Sequence, residues 1–545
     1  MEYHTAKKGR LSTNLAWNFT DFVTAVAAGL WFTPYLIRNL GADVFGLVPL
    51  ATTMVGYLSV VTIGLNAAVG RNLTIALEAG QHDKANRIFN TSLWGGIVSA
   101  AVLIIAGGMV SWCGHYLINT PVGYETVVRW LLGAALVSFV LGVVSTPFGV
   151  ASYALNRFDI ANAISITQRV IFIAFVVTLF FFAEPSLYIV AAGMVLSGIV
   201  NLVQKVVTQV RIMPFLRVNR RQFDFQVFRE LFSFGGWIVI HWLGAVLFLS
   251  IDLLVVNRMF GPVAGGNYAV AAQWSYLLRS MGTVVIGVFG PTFLYYYARK
   301  DVAGLAVYGQ RTVRLVGLGL ALPIGLVCGL SKPLLCVWVG EEYAWMAGLV
   351  VLLTGYLCIN LAVSPLFNIQ NAMARVRVPG IVTCIMGPMN LGLAIFLAGP
   401  AGLGVYGVGV AGFVMLTARN IFTPLYCAWI LRLPWWTFMR EILTVALATG
   451  AIALTCLTAS YWLDFASWGR LFTVGLVVAA VYAGLVWQFL LNGQERSLVL
   501  AKMRALSGAS DSTGVSESTD TRKQLPTALT TSSRTGPSTA VDVKD

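Results

Sequence analysis

The first apolar stretch of the chain ends in LGADVFG at residues 40–46, and the seventh ends in FGPVAGG at residues 260–266. Both contain two glycines spaced by five residues, and the two glycine pairs lie 220 residues apart. A second match joins Pro147–Arg157 to Pro365–Arg375, which share a proline, an alanine and an arginine at an offset of 218. Two anchors at nearly one offset predict two homologous halves. A membrane bundle built from a duplicated half is typical of a transporter that rocks one half against the other.

The composition is that of a membrane protein. The chain is 58% hydrophobic and only 11% charged, with a mean hydropathy of +0.78, whereas a soluble domain carries roughly 25% charged residues. A spanning helix needs roughly 20 largely apolar residues. We predict an all-α polytopic membrane helix bundle of about 14 transmembrane helices, with two pseudo-symmetric six-helix lobes and two extra C-terminal helices. The predicted spans are 13–38, 46–69, 91–112, 126–150, 163–183, 186–210, 229–257, 265–297, 311–331, 344–370, 377–398, 404–431, 438–462 and 469–491.

Charge predicts the orientation and the order of the parts. Lysine and arginine crowd alternate loops, whereas the other loops hold little more than Arg38, Arg129, Arg258, Lys332 and Arg470. By the positive-inside rule both termini are cytoplasmic. The predicted parts are a cytoplasmic N-terminus (1–12), an N-lobe (13–210), a basic cytoplasmic connector (211–228), a C-lobe (229–431), spans 13 and 14 (432–492) and a disordered cytoplasmic tail rich in Ser and Thr (493–545).

Several functions are disfavoured by the sequence. It contains no G-x-x-x-x-G-K-[ST] phosphate loop and no H-E-x-x-H, and its seven cysteines form no C-x-x-C. The net charge of +14 comes from membrane-bound loops, and the basic, Phe-containing connector suits the anionic inner leaflet rather than nucleic acid. We predict no enzyme activity, no catalytic residues, no metal site and no cofactor apart from a coupling ion, H⁺ or Na⁺.

Basic residues inside spans are the first candidates for a binding site, because charge in the bilayer is costly. Arg279 and Arg419 lie near the middle of predicted spans 8 and 12, too deep to reach an interface. Each needs a partner or a hydrated cavity, and the alternative to a functional role is a buried ion pair. Arg71, Arg169 and Lys205 lie near inner span ends, where long side chains can instead snorkel to the headgroups.

Acidic and amide groups inside spans are the candidates for ion coupling. Asn18 and Asp21 lie on one face of span 1 together with Asn14. That face suits a cation or proton site, or a hydrogen-bonded stripe that joins helices. Asp252 lies in the outer part of span 7, six residues before Arg258. It is either a second coupling site or half of a local ion pair.

Short glycine-based motifs carry a resemblance to a known family. The chain resembles the bacterial polysaccharide and oligosaccharide flippases of the multidrug, oligosaccharidyl-lipid and polysaccharide exporter superfamily. The resemblance runs along spans 1 to 12. The motifs are PYLIRNLG (34–41) with FGL (45–47), GLN (64–66) with Arg71, DLL (252–254) with FG (260–261) and NY (267–268), and Asn390 with GLGVYG (402–407).

The resemblance implies a protein of the plasma (inner) membrane of a bacterium, with two six-helix lobes around a central cavity that moves a lipid-linked saccharide from the inner to the outer leaflet. The substrate carries a polyprenyl-pyrophosphate, so the basic residues are its expected anion site: Arg279 and Arg419 first, then Arg71, Arg169 and Lys205. Asp21 is the first candidate for ion coupling, followed by Asn18 and Asp252. The expected partners are the lipid-linked glycan, the bilayer and the polysaccharide assembly machinery, with no nucleic acid.

Two other functions stay open at the level of sequence. A multidrug/cation antiporter of the same superfamily would favour a cavity with more buried carboxylates than cations, and the balance here is the reverse. A membrane glycan polymerase or glycosyltransferase would need ionisable clusters on sizeable outer loops, and the longest of these loops, at about 114–125, is short.

Overall fold

The computed structural model describes a chain of helices. The described residues are 11–58, 69, 72–73, 76–77, 80–121, 123–155, 157–229, 251–287, 289, 292–293, 296–297, 299–373, 375, 377–462 and 467–490, and no strand occurs among them. Eleven helices in these ranges are long and apolar enough to cross a membrane, and they coincide with eleven of the fourteen predicted spans. Parts of the remaining three predicted spans lie outside the described ranges; these spans are 46–69, 229–257 and 265–297. Arg71 and the whole predicted tail also lie outside them.

The helices follow the predicted order. In the first half (the N-half, residues 11–212) they are α1 Leu11–Leu40, α2 Ala42–Phe45, α3 Leu47–Gly56, α4 His82–Leu117, α5 Glu125–Ala154, α6 Phe158–Phe182 and α7 Leu187–Ile212. In the second half (the C-half, residues 251–430) they are α8 Ile251–Gly287, α9 Val302–Gly329, α10 Ser331–Trp338, α11 Ala347–Gly355, α12 Leu357–Val363, α13 Phe367–Ala372, α14 Arg377–Ala398 and α15 Val405–Ile430. The last two are α16 Trp436–Trp462 and α17 Trp468–Leu485.

Each half packs mainly on itself. In the N-half, α5 lies against α4 and α7, while α6 lies against α1 and α7. In the C-half, α14 packs on α15, and α9 packs on α12 and on α16. The helices bury leucine, valine and alanine toward one another, and a polar N-cap fixes some starts, as where the Ser186 hydroxyl accepts from the Tyr188 N–H at 3.3 Å. The described residues up to 483 form one compact unit, and the described residues 484–490 are helical and belong to a second.

The two halves share local backbone geometry at the repeated motifs. Gly41 (φ +83°) separates α1 from α2, and Gly261 (φ +90°) interrupts α8 at the equivalent position. Only glycine adopts this conformation without strain. At the second motif, the Arg157 N–H donates to the Ser152 carbonyl at 2.8 Å, and the Arg375 N–H donates to the Gln370 carbonyl at 2.9 Å. Matching helix breaks and matching helix ends are what a duplication predicts.

Candidate functional site

A polar cavity lies inside the C-half. Its polar lining comes from Asp252, Tyr268, Ser275, Tyr276, Arg279 and Tyr356. These residues come from α8 and from the junction of α11 and α12, and Gly412 of α15 completes the wall. The cavity measures about 30 Å³, which is room for about one or two water molecules. It is therefore a pre-formed polar pocket that is too small, in this conformation, for a saccharide.

Arg279 directs its guanidinium into this cavity. Its Nη2 donates to the Tyr356 hydroxyl, and its Nε donates to the Ser275 hydroxyl at 3.3 Å. The guanidinium carbon also lies 5.5 Å from the centre of the Tyr356 ring, a distance typical of a cation–π contact. These partners are neutral and hold the guanidinium in place without cancelling its charge. The positive charge therefore faces the cavity, where the carboxylate of Asp252 partly offsets it.

Asp252 lies on the same cavity and is only 8% exposed. Its Oδ2 accepts from the Tyr268 hydroxyl at 3.2 Å, while its Oδ1 is buried without a hydrogen bond of normal geometry. Asn390 of α14 is fully buried beside it, and its own amide atoms are also without such a bond. Buried oxygens without donors are costly. The positive charge of Arg279 also attracts the Asp252 carboxylate, so a proton or a small cation at Asp252 would compete with Arg279 for that carboxylate.

Arg419 is the second deep arginine predicted from the sequence. Its guanidinium carbon lies 5.9 Å from the centre of the Phe367 ring. Its positive charge is close enough to that of Arg279 for the two to repel each other. The next residue, Asn420, accepts a hydrogen bond from the Asn360 amide at 2.9 Å. The structure therefore brings Arg279 and Arg419 into one positively charged region of the C-half.

The N-half holds a separate ion pair. Arg169 Nη1 lies 3.2 Å from Asp21 Oδ1 and 3.3 Å from the Asp21 carbonyl oxygen. Each side chain is about a quarter exposed. One turn away, the Asn162 amide donates to Asn18 Oδ1 at 2.6 Å. Two residues singled out for different roles, Arg169 and Asp21, are thus each other's partners between α1 and α6.

A chain of polar contacts continues through α5 and α7. Lys205 Nζ donates to the Ser145 hydroxyl at 3.1 Å, and Ser145 lies 3.4 Å from Asn201 Oδ1. The Asn201 amide in turn donates to Gln168 Oε1 at 2.7 Å. Lys205 and Arg169 therefore direct their charges toward neighbouring helices. Arg71 lies outside the described residues.

Asp252 and Arg258 do not share a local contact of the kind considered from their spacing. Arg258 Nη1 donates instead to Asn119 Oδ1 of the N-half at 3.0 Å. Asp252 and its hydrogen-bond partner Tyr268 lie on opposite sides of the Gly261 break in α8. The break folds α8 back on itself, and this fold brings the Asp252 and Tyr268 side chains together.

Sequence reasoning identified Arg279 and Lys205 but missed the residues that surround them. Tyr268, Ser275 and Arg279 recur at i, i+7 and i+11 on α8, a helical-face pattern that would have grouped them. Asn201 and Lys205, at i and i+4 on α7, show the same signal. Tyr356 and Asn390 come from other helices, so no spacing within one span reveals them.

A bundle of helices long and apolar enough to cross a membrane, with ionisable clusters between the helices of two related halves, is the architecture of a polytopic membrane transporter. Residues 12–295 match the sequence profile of the family described as "Polysaccharide biosynthesis protein". The chain belongs to that family. It is 32% identical over 501 residues to the "Uncharacterized membrane protein EpsK" of Bacillus subtilis (strain 168), covering 92% of this chain and 99% of that one. It is 23% identical over 401 residues to a "Putative O-antigen transporter" of Shigella flexneri, covering 72% and 91% of the two chains.

Solved structures show the same fold at low sequence identity. The lipid II flippase MurJ in an inward closed conformation aligns with a TM-score of 0.60 and 13% identity, covering 88% of this chain and 99% of that one. The multidrug transporter DinF-BH aligns with a TM-score of 0.59 and 13% identity, covering 80% and 98%. An inward-facing multidrug transporter of the superfamily named above aligns with a TM-score of 0.56 and 14% identity, covering 80% of this chain and 98% of that one. The predicted fold class and the predicted family are confirmed.

Proposed function

We propose that this protein is a flippase that moves a lipid-linked oligosaccharide or polysaccharide repeat unit, carried on polyprenyl-pyrophosphate, from the cytoplasmic to the outer leaflet by alternating access. The observation that carries the proposal is Arg279, a deep arginine held by two neutral hydroxyls on a polar cavity. An arginine fork can bind phosphate oxygens in a bidentate way. Arg419 adds a second positive charge nearby.

Asp252 is the carboxylate that we propose for ion coupling. When it is ionised, its negative charge partly compensates that of Arg279 across the cavity, and this weakens the attraction of Arg279 for an anion. A proton or a sodium ion at Asp252 removes that compensation and raises the affinity of Arg279 for a pyrophosphate. Coupling of two binding equilibria is reciprocal, so the bound head group also favours the ion.

The lipid tail has an apolar route beside the two halves. An open and mostly apolar cavity of about 420 Å³ is lined by Trp31 and Tyr35 of α1, Trp338 of α10, and Trp468 and Phe472 of α17, with Arg38 as its charged lining residue. A polyprenyl chain gains by staying in apolar surroundings while only the head group needs a polar path. The cavity is thus suited to hold the first isoprenoid units next to the protein.

The proposed orientation follows from the loop charges, with both termini and the connector in the cytoplasm of a bacterium. In the connector, the Asn86 and Asn90 side chains hold the backbone of residues 215–219 by hydrogen bonds of 2.7–3.0 Å. This clamp presents Arg217, Arg221 and the 70% exposed Phe225 at the predicted inner leaflet. Partners in polysaccharide assembly would hand over substrate on this side. Transport itself needs no catalytic step.

The direction and the class of activity are tested in cells that lack the protein. We expect a lipid-linked glycan intermediate to accumulate in the cytoplasmic leaflet, measured as glycan protected from an impermeant glycosidase or oxidant in intact cells. Restoring the wild-type chain should move that glycan to the accessible leaflet. Accumulation on the outer face would instead indicate a polymerase, and unchanged intermediates with a new sensitivity to cationic drugs would indicate an antiporter.

A further inference from the structure

The second glycines of the two repeated motifs touch each other between the halves. A Cβ added to Gly46 would lie 2.5 Å from the Cα and 2.6 Å from the backbone nitrogen of Gly266. A Cβ added to Gly266 would collide with the carbonyl oxygen of Ala42. Neither position can therefore hold a side chain unless the two backbones move apart. Small residues at a helix crossing let two backbones approach to contact, as they do here.

A polar latch lies beside this glycine contact. Asn119, in the loop between α4 and α5, exchanges five hydrogen bonds with Asn257 and Arg258 of the C-half, at 2.9–3.2 Å. Asn257 is itself only 1% exposed, and Gly265 packs on it, since a Cβ there would lie 3.2 Å from the Asn257 Cβ. One asparagine thus links both halves through its backbone and its side chain.

Further contacts extend from this end along α1. The Trp338 indole N–H donates to the Leu30 carbonyl at 2.6 Å, and a Cβ on Gly29 would lie 2.7 Å from Gln273 Nε2. In the proposed orientation, Gly46, Gly266 and Trp338 lie toward the outer ends of their helical segments, and Asn119 lies in an outer loop. The described halves are therefore joined at that end of the bundle.

We propose that the duplicated glycine motifs and the Asn119 latch form the outer gate of the transporter, which this structure shows closed. Gly46 and Gly266 let the halves close because neither carries a side chain. Asn119 holds them closed until its bonds to Asn257 and Arg258 break. This inference rests on the proposed alternating-access function. The distance that it predicts between the two halves can nevertheless be measured without substrate.

The gate is tested by distance measurement on the full chain in lipid nanodiscs. Spin labels on unnatural amino acids at Tyr124 and Leu403, exposed loop residues of the two halves at the proposed outer end, leave the native cysteines in place. Pulsed electron–electron double resonance then gives the distribution of distances between the two spin labels in the absence of substrate. Gly56→Ala in α3 is the matched control, because a Cβ there meets no heavy atom within 4 Å.

The wild-type chain and the Gly56→Ala control should show the short distance of the closed gate. Gly266→Ala should lower the ratio of short to long distances about tenfold, because the added methyl group overpacks a backbone contact. Asn119→Ala removes three of the five latch bonds and should shift the same ratio in the same direction, which keeps the test valid if Gly266→Ala does not fold. Wild-type distributions in a folded Gly266→Ala or Asn119→Ala protein would overturn the gate. If the distances shift as expected in the variants but the wild-type protein translocates no glycan, the gate stands and the proposed function falls.

Discussion

Replacing Arg279 with alanine is expected to abolish translocation of the lipid-linked glycan while the amount of protein in the membrane stays near wild type. The alanine variant loses the guanidinium that would hold the phosphate oxygens. Loss of such a charge-assisted contact in a shielded site costs about 2–5 kcal/mol of binding free energy. Arg279→Lys should restore transport only in part, because an ammonium cannot copy the bidentate fork.

The measurement is binding and translocation of lipid-linked substrate by purified, reconstituted variants. Arg377→Ala is the matched control, since Arg377 is an exposed arginine at the start of α14. Tyr356→Phe tests the local geometry, because it removes one hydroxyl partner of Arg279 and keeps the charge. It should weaken binding less than Arg279→Ala does. Unchanged affinity and rate in Arg279→Ala would remove this residue from the substrate site.

Asp252→Asn is expected to uncouple substrate binding from the ion. In the wild-type protein, substrate affinity should rise about 5- to 150-fold when the coupling ion is added, the usual range of coupling between two sites. Asparagine is neutral at every pH and copies the shape of the carboxylate. The variant should therefore bind substrate tightly with or without ion. Titrating substrate across a range of pH and of sodium concentration identifies which cation is responsible.

Asp21→Asn is the comparison for that experiment. The sequence put Asp21 first among the coupling candidates, and the structure pairs it with Arg169 at 3.2 Å. A carboxylate paired directly with an arginine has less to gain from a cation than Asp252, whose Oδ1 is buried without a hydrogen bond of normal geometry. We expect Asp21→Asn to keep the ion dependence. Loss of that dependence in Asp21→Asn, with its retention in Asp252→Asn, would return coupling to the N-half.

The fold was predictable because its signals are local. Long apolar stretches define spans, and Gly41 and Gly261 mark equivalent breaks, where a positive φ requires glycine. The contact between Gly46 and Gly266 was not predictable, since their spacing shows that the halves are related and says nothing about how they pack. The same limit applies to the site. Mid-span depth predicted that Arg279 needs a partner or a hydrated cavity, but its partner Tyr356 lies 77 residues away, between α11 and α12.

Pairing between candidates was the least predictable property. Asp21 and Arg169 were both identified as charges that the bilayer penalises, yet they are 148 residues apart and meet only because α1 packs on α6. Tyr268, Ser275 and Arg279 share one face of one helix and could have been grouped. Tertiary packing therefore decides which buried charges are already paired and which remain available to a ligand.

Reconstituted flipping tests the central claim most directly. Purified protein is placed in liposomes with a polyprenyl-pyrophosphate oligosaccharide whose sugar can be modified only from outside. With wild-type protein and an ion gradient of either sign, we expect the inner-leaflet pool to become accessible, and we expect Arg279→Ala liposomes to resemble protein-free ones. Folded wild-type protein that leaves the inner pool protected under every proton and sodium gradient would contradict the account.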